Sequence, residues 1–176
     1  LEVGPCTGNL TSYILKNKPK KMFVIEKDNE LASTLEKKFK EQIKIINDDI
    51  LKIDETQLFK EKVIVFGNLP YNISTEILSK WIINLKKTFW FESLVLMFQK
   101  EVADRIIAEF NTSNYGRLSI ICNWKLNIKK MFDIKPSAFS PKPKVDSSLL
   151  FFYPKKNFIK IKNPNNLEKI TRIFFN

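Results

Sequence analysis

An α/β fold built on a mostly parallel sheet is predicted by three features of this 176-residue sequence. Short apolar runs alternate with segments whose apolar residues recur every three or four positions. The runs are nearly continuous in apolar character, as strands covered on both faces require. A hydrophobic content of 44%, including fifteen Phe, supplies enough large side chains to cover both faces of a sheet with helices. A chain of this length is too short for two ordinary domains, so one main domain is expected.

Taken in order, Leu1-Glu2-Val3 reads as a first strand running into a glycine-bearing loop and a helix start. Strands are predicted at residues 22–25, 43–46, 63–66 and 94–98, and helices at 28–40, 75–87 and 100–110. After Gly116 the pattern changes. Strand-like runs at 117–124 and 147–153 flank a Pro-rich link at 136–143, which predicts seven strands in all with an antiparallel pair closing one sheet edge. From Lys155 the chain is basic and punctuated by Pro and Asn, and a last helix is predicted at 167–175. The expected boundary lies there, with residues 1–154 as the main domain and 155–176 as a linker and the start of a further helical unit. Both ends read as interior to a longer chain.

No run reaches the roughly 18 to 20 apolar residues that cross a bilayer, so a soluble, cytoplasmic protein with no membrane partner is expected. Cys6 and Cys122 are far apart and His is absent, which predicts reduced thiols and no metal site. The net charge of +11 suits a polyanion such as RNA. Almost all of that charge is Lys, with Arg only at positions 105, 117 and 172, so composition alone explains it as well as an RNA partner does.

The loop from Leu1 to Thr11 lets a ligand approach the backbone at a helix N-terminus, with Glu2, Gly4, Cys6 and Gly8 as candidate cofactor-binding residues. Glu26 ends the second predicted strand, about 20 residues later, where a carboxylate accepts from both ribose hydroxyls of a nucleoside cofactor. Asp49 follows the third strand, placed to accept from an exocyclic adenine amine. These three features describe a nucleoside pocket without separating a nicotinamide dehydrogenase from a methyltransferase.

The fourth strand separates them. It ends in Gly67-Asn68-Leu69-Pro70-Tyr71-Asn72-Ile73-Ser74. An adenine N6 is a poor nucleophile because its lone pair is delocalised into the ring, so methyl transfer needs acceptors that draw its hydrogens and pull it toward tetrahedral geometry. Asn68 offers a carboxamide oxygen and Leu69 a main-chain carbonyl, while Pro70 stiffens the turn and removes a backbone donor. Tyr71 supplies a stacking face for a flipped base. Such catalysis rests on positioning rather than on a strong base, in accord with the absence of His.

Together with Gln99-Lys100-Glu101-Val102, Tyr115-Gly116-Arg117-Leu118-Ser119 and the run Phe139-Ser140-Pro141-Lys142-Pro143-Lys144-Val145-Asp146-Ser147, these segments resemble the ribosomal RNA adenine dimethyltransferases. That family includes a small-subunit enzyme and the erythromycin-resistance methylases of large-subunit RNA. The resemblance implies a Rossmann-like S-adenosylmethionine-dependent methyltransferase followed by a small helical domain. It implies that Gly4, Glu26, Asp49 and Asn68 contact S-adenosylmethionine, that Asn68, Leu69, Pro70 and Tyr71 hold the target amine, and that Phe139 closes over the base. Lys142 and Lys144 are candidate RNA-phosphate contacts.

Asn-Leu-Pro-Tyr, Gln-Lys-Glu-Val and Tyr-Gly-Arg-Leu-Ser are the small-subunit pattern, whereas the resistance methylases tend toward Asn-Ile-Pro-Tyr. The expected product is N6,N6-dimethyladenosine at two adjacent positions of a hairpin loop near the 3′ end of small-subunit RNA, made on a pre-30S particle by a monomer. A large-subunit methyltransferase and a non-catalytic RNA-binding assembly factor are the alternatives. One position departs from the family: Cys6 stands where Gly is usual, which predicts crowding of the cofactor or a backbone angle that Cys tolerates less well. The resemblance also implies an N-terminal segment, ahead of the first strand, that helps cover the cofactor.

Overall fold

The computed structural model describes residues 1–85 and 88–175. Its strands are β1 (Glu2–Val3), β2 (Phe23–Ile25), β3 (Lys44–Ile46), β4 (Val63–Gly67), β5 (Phe91–Gln99), β6 (Leu126–Ile134) and β7 (Ser147–Pro154). Its helices are α1 (Asn9–Lys16), α2 (Asn29–Phe39), α3 (Glu55–Leu58), α4 (Ser74–Ile83), α5 (Lys100–Ile106), α6 (Arg117–Lys125) and α7 (Pro164–Phe174). Among the described residues these strands form one seven-stranded sheet in the order β3-β2-β1-β4-β5-β7-β6. The pairs from β3 through β5 are parallel, and β7 is antiparallel to both β5 and β6. The α/β class, the mostly parallel sheet and the antiparallel edge are as the sequence predicts.

Val24 of β2, Val65 of β4 and Leu94, Leu96 and Phe98 of β5 are fully covered, whereas the edge strand β3 has Lys44 exposed and Ile45 and Ile46 half-buried. Beneath α4 a run of rings packs edge to face and face to face, from Phe23 through Phe59 and Trp90 to Trp81. The helix at 28–40 begins where expected, because Asp28 accepts from the backbone N–H of Glu30 and of Leu31, each at 2.9 Å. Its Ala32, Leu35 and Phe39 face the sheet. The helix predicted at 75–87 runs over Ser74–Ile83, and its last two predicted residues, Lys86 and Lys87, lie outside the described residues. The helix predicted at 100–110 ends at Ile106, ahead of the turn-forming run Asn111-Thr112-Ser113-Asn114. The last helix starts three residues earlier than predicted, with Pro164 in its first turn and the Asn163 side chain accepting from Asn165 N at 3.1 Å.

One expectation is overturned. Residues 117–124, read as a strand, form helix α6, and the edge strand is the next segment, β6. Ser119, Ile121, Cys122 and Lys125 are buried, and Leu118, Ile120 and Trp124 are half-buried, because α6 packs against α4, α5, α7 and β6 at once. A helix covered on so many sides shows no one-sided apolar stripe, so periodicity cannot tell its Leu118-Ser119-Ile120-Ile121-Cys122 core from a buried strand. Its start is fixed by Ser119, whose hydroxyl accepts from Gly116 N at 2.9 Å and donates to Gly116 O at 2.8 Å. In β6 the alternation of inward Leu126, Ile128 and Lys130 is broken by a bulge between Lys130 and Phe132, which hides the strand period.

α7 lies on α6, with Thr171 buried and the Tyr115 and Phe175 rings 6.2 Å apart. No helix among the described residues is long and apolar enough to cross a membrane.

Lys125, at the end of α6, is 2% exposed and donates to Ile82 O at 2.8 Å and Leu85 O at 2.9 Å, closing the carboxyl end of α4. Its ammonium also lies 3.9 Å from the Trp124 ring centroid. Burial pushes this group from 10.5 down to about 8. As pH falls from above 10.5 the unfolded chain therefore takes up this proton first, and the native state is favoured less until about pH 8, below which this contribution is level. Denaturant unfolding between pH 8 and 10.5 is expected to show stability rising with pH, and Lys125→Met is expected to reduce that slope. An unchanged slope would refute the assignment.

Candidate active site

Four loops leave the sheet at the carboxyl ends of β1, β2, β3 and β4. The strand order reverses between β1 and β4, which opens a crevice at that end. After β1, Gly4 N donates to Ile25 O at 3.0 Å and Gly8 N to Pro5 O at 2.8 Å, so the loop is tied to β2 and then folds back into α1. Gly8 has a positive φ of 76°, and a Cβ there would meet Phe39 Cε2 at 2.4 Å, so the loop settles on α2 only with glycine. Gly4 also has a positive φ, 68°, and the nearest atom to a Cβ built on it is Asn68 O at 4.0 Å. The β1 and β4 loops are therefore neighbours, and the absent side chain leaves open space between them.

Glu2 lies beneath this loop. It is 2% exposed and accepts from Thr11 Oγ at 2.6 Å, tying β1 to the first turn of α1, and burial pushes its carboxyl up. Glu26, directly after β2, is nearly buried, and its two carboxylate oxygens accept from Cys6 N at 3.3 Å and Asp28 N at 3.0 Å. The carboxylate is thus oriented by backbone donors, while each oxygen keeps a second lone pair. Asp49, beyond β3, accepts from Leu51 N at 3.0 Å and pairs with Lys27 Nζ at 2.9 Å, and these contacts, the Lys27 bond foremost, hold its carboxyl below the usual range. Lys27 as the partner of Asp49 is a feature that sequence reasoning missed. Its signal would have been adjacency to Glu26.

At the end of β4 the chain turns through Asn68, Leu69, Pro70 and Tyr71. Leu69 is 1% exposed and anchors the turn in the core, leaving Asn68 and Pro70 on the surface. Ile73 N donates to Pro70 O and Ser74 Oγ to Tyr71 O, each at 3.1 Å, so the turn is closed from its far side. Among the described residues the Asn68 carboxamide makes no hydrogen bond and the Leu69 carbonyl accepts none from the backbone. Both oxygens remain available to a ligand. Tyr71 is half-buried, with its hydroxyl 2.6 Å from Ser147 Oγ at the start of β7.

The Pro-rich link joins β6 to β7. Phe139 follows a short 3₁₀ turn at Pro136–Ala138, is half-buried, and donates its N–H to Pro136 O at 3.1 Å. Lys142 and Lys144 are exposed. The link reaches the Asn68–Tyr71 turn through Ser147, and among the described residues no ring contact joins Phe139 to Tyr71. Ser147 was visible in the sequence only as the end of a motif. A separate cavity of about 790 Å³ is lined by Leu51, Lys52, Trp81, Trp90, Trp124 and Lys125, and Glu26, Asp49, Asn68 and Tyr71 are not among its lining residues.

A family model described as ribosomal RNA adenine dimethylase matches residues 1–176. The chain is 70% identical over 175 residues to the ribosomal RNA small subunit methyltransferase A of Pelagibacter ubique, covering 99% of this chain and 67% of that protein. The protein of the same name from Ehrlichia ruminantium is 45% identical over 181 residues, covering 100% of this chain and 67% of that protein. Among solved structures, a dimethyladenosine transferase from Plasmodium falciparum superposes with a TM-score of 0.75 at 33% identity, over 88% of this chain and 55% of that one. The 23S rRNA methyltransferase ErmE superposes with a TM-score of 0.72 at 23% identity, over 97% and 67% of the two chains, a likeness of fold. This chain thus spans about two thirds of the relatives it matches and about half of the Plasmodium structure.

Cys6 has a positive φ of 50°, the left-handed region that disfavours side chains, in accord with the expectation drawn from its departure from Gly. Desolvation, then the charges of Glu26, Glu2 and Asp28, push its thiol up, so it stays protonated near neutrality. Cys6→Gly is expected to raise unfolding stability by about 1 kcal/mol, read by thermal melting. A less stable variant would show that the angle carries no strain.

Proposed function

The chain belongs to the ribosomal RNA adenine dimethylase family, and on that premise we propose that it N6,N6-dimethylates two adjacent adenosines in a hairpin loop near the 3′ end of small-subunit ribosomal RNA. The methyl donor is S-adenosylmethionine, and the substrate is a pre-30S particle in the cytoplasm, met by a monomer. The observation that carries this reading is the Asn68–Tyr71 turn, with two uncommitted acceptor oxygens, standing beside the open floor at Gly4.

The residues fit such a cofactor. Gly4 leaves room for it, Glu26 keeps lone pairs for ribose hydroxyls, and Asp49 keeps one for the adenine amine even with Lys27 bound. When bound, the cofactor supplies a methyl group on a positively charged sulfur. The protein's part is to present the nucleophile. Asn68 Oδ1 and the Leu69 carbonyl accept the two N6 hydrogens, which localises the nitrogen lone pair and aims it along the line of transfer. Pro70 keeps that carbonyl fixed. Tyr71 stacks on the flipped adenine, Phe139 closes on its other side, and Lys142 and Lys144 meet flanking phosphates. Glu2, Cys6 and Gly8 act through the shape of the loop. Residues 1–154 form the catalytic unit and 155–176 a linker and the start of a further helical unit. The small-subunit names of the relatives favour this substrate over large-subunit RNA.

Radiolabelled transfer from S-adenosylmethionine to unmethylated small ribosomal subunits tests the reading. Asn68→Ala is expected to slow transfer by about 100-fold, the scale of losing one acceptor that acts on the reacting group. Unchanged transfer would overturn the chemistry. In calorimetry, Glu26→Ala is expected to weaken cofactor binding at least about tenfold, the equivalent of one charge-assisted hydrogen bond. Equal affinity would remove Glu26 from the pocket.

A further inference from the structure

Tyr71 is gripped at both ends. Its main-chain carbonyl accepts from Ser74 Oγ, and its ring hydroxyl lies 2.6 Å from Ser147 Oγ, a contact between residues 76 positions apart. Resting on the adenine-methylating reading of the Asn68–Tyr71 turn, we propose that Ser147 is a positioning residue. It fixes the direction in which the Tyr71 ring points, and so where the ring stands to meet the target adenine, and it locks the Phe139 link to that ring.

Rigidity makes Ser147 suited to this. It is fully buried and is paired on both sides, with Gln99 of β5 and Ile134 of β6. Its neighbours are also fixed: Asp146 O accepts from Lys100 N at 2.8 Å, the Asp146 carboxylate pairs with Lys135 at 2.5 Å, and Ser148 Oγ donates to Asp133 at 2.6 Å. The hydroxyl that meets Tyr71 therefore stands on a sheet strand, and a site supported from a strand is more precise than one supported from a loop. A Tyr side chain has three staggered χ1 wells that send its ring in different directions, and partial burial alone leaves that choice weakly set. A hydrogen bond at the far end of the ring, whose oxygen moves with χ1, holds the ring in one of them. With its hydroxyl so engaged, Tyr71 acts through its ring face, in keeping with catalysis by positioning.

The complete protein and unmethylated small subunits provide the test. In single-turnover methyl transfer, Ser147→Ala and Tyr71→Phe are each expected to slow the reaction about tenfold, the kinetic equivalent of one neutral hydrogen bond, with S-adenosylmethionine affinity unchanged. The double variant is expected to lose no more than either single one, because both remove the same contact. Tyr71→Phe removes one oxygen from a half-buried site and leaves the fold standing even where Ser147→Ala weakens it. An RNA hairpin carrying 2-aminopurine in place of the target adenosine reads the stacking itself, and its fluorescence quench is expected to fall in both variants. Additive losses, or a full rate and quench in both single variants while the unaltered protein transfers methyl, would overturn the positioning role alone. No transfer by the unaltered protein would overturn the methylating reading and the positioning role together.

Discussion

β1 contributes only two residues, yet it is hydrogen-bonded on both sides, Glu2 and Val3 lying beside Val24 and Ile25 of β2 and beside Phe66 and Gly67 of β4. The chain must leave β1 toward β2 and β3 and later return to the other flank as β4. Parallel strands joined by crossovers all release their loops at the same end, so the first loop and the fourth emerge side by side with nothing between them. Glu26 and Asp49 follow as the next two strands end. The line from Asp49 through Glu26 and Gly4 to Asn68 is thus the strand order β3-β2-β1-β4 seen from its carboxyl end. If β4 paired anywhere other than beside β1, the same residues would not face one crevice.

The crevice is also held from behind. Lys80, on α4, donates to Ile50 O at 2.6 Å and to Glu55 Oε1 at 2.8 Å, and Trp81 Nε1 donates to the same carboxylate oxygen at 2.7 Å. The loop that carries Asp49 is therefore fastened to the helix that follows the Asn68–Tyr71 turn. A buried Lys–Glu pair contributes little net stability, since desolvation offsets much of the attraction, but it fixes a register. Here that register is the distance between the two halves of the site.

Much of this was legible in the sequence because both-side burial makes parallel strands read as plain apolar runs, and because an acid at the end of such a run has few other places to point. Glu26, Asp49 and the Asn68–Tyr71 turn were read at strand ends that way, and the structure puts each of them beyond the end of its strand. α6 was not legible, for a related physical reason: a helix enclosed on many sides loses its one-sided apolar stripe and reads like a buried strand. β6 hid behind its bulge, and α3, four residues long behind the Asp54 cap, is too short to show a period. The partner of Tyr71 was beyond reach of local pattern. Nothing near Ser147 in sequence indicates a ring 76 residues away.

The antiparallel edge explains how that partner arrives. A strand running against β5 begins where β5 ends, so Ser147, first in β7, pairs with Gln99, last in β5, at the carboxyl end of the parallel strands. The segment that precedes β7 is delivered to that same end. Had β7 run parallel to β5, its first residue and the whole Phe139 link would sit at the opposite end of the sheet, and the crevice would be bounded only by the loops that follow β1 to β4. Reversing one strand is what gives this fold a second wall, and the Tyr71–Ser147 contact is the point at which that wall touches the first.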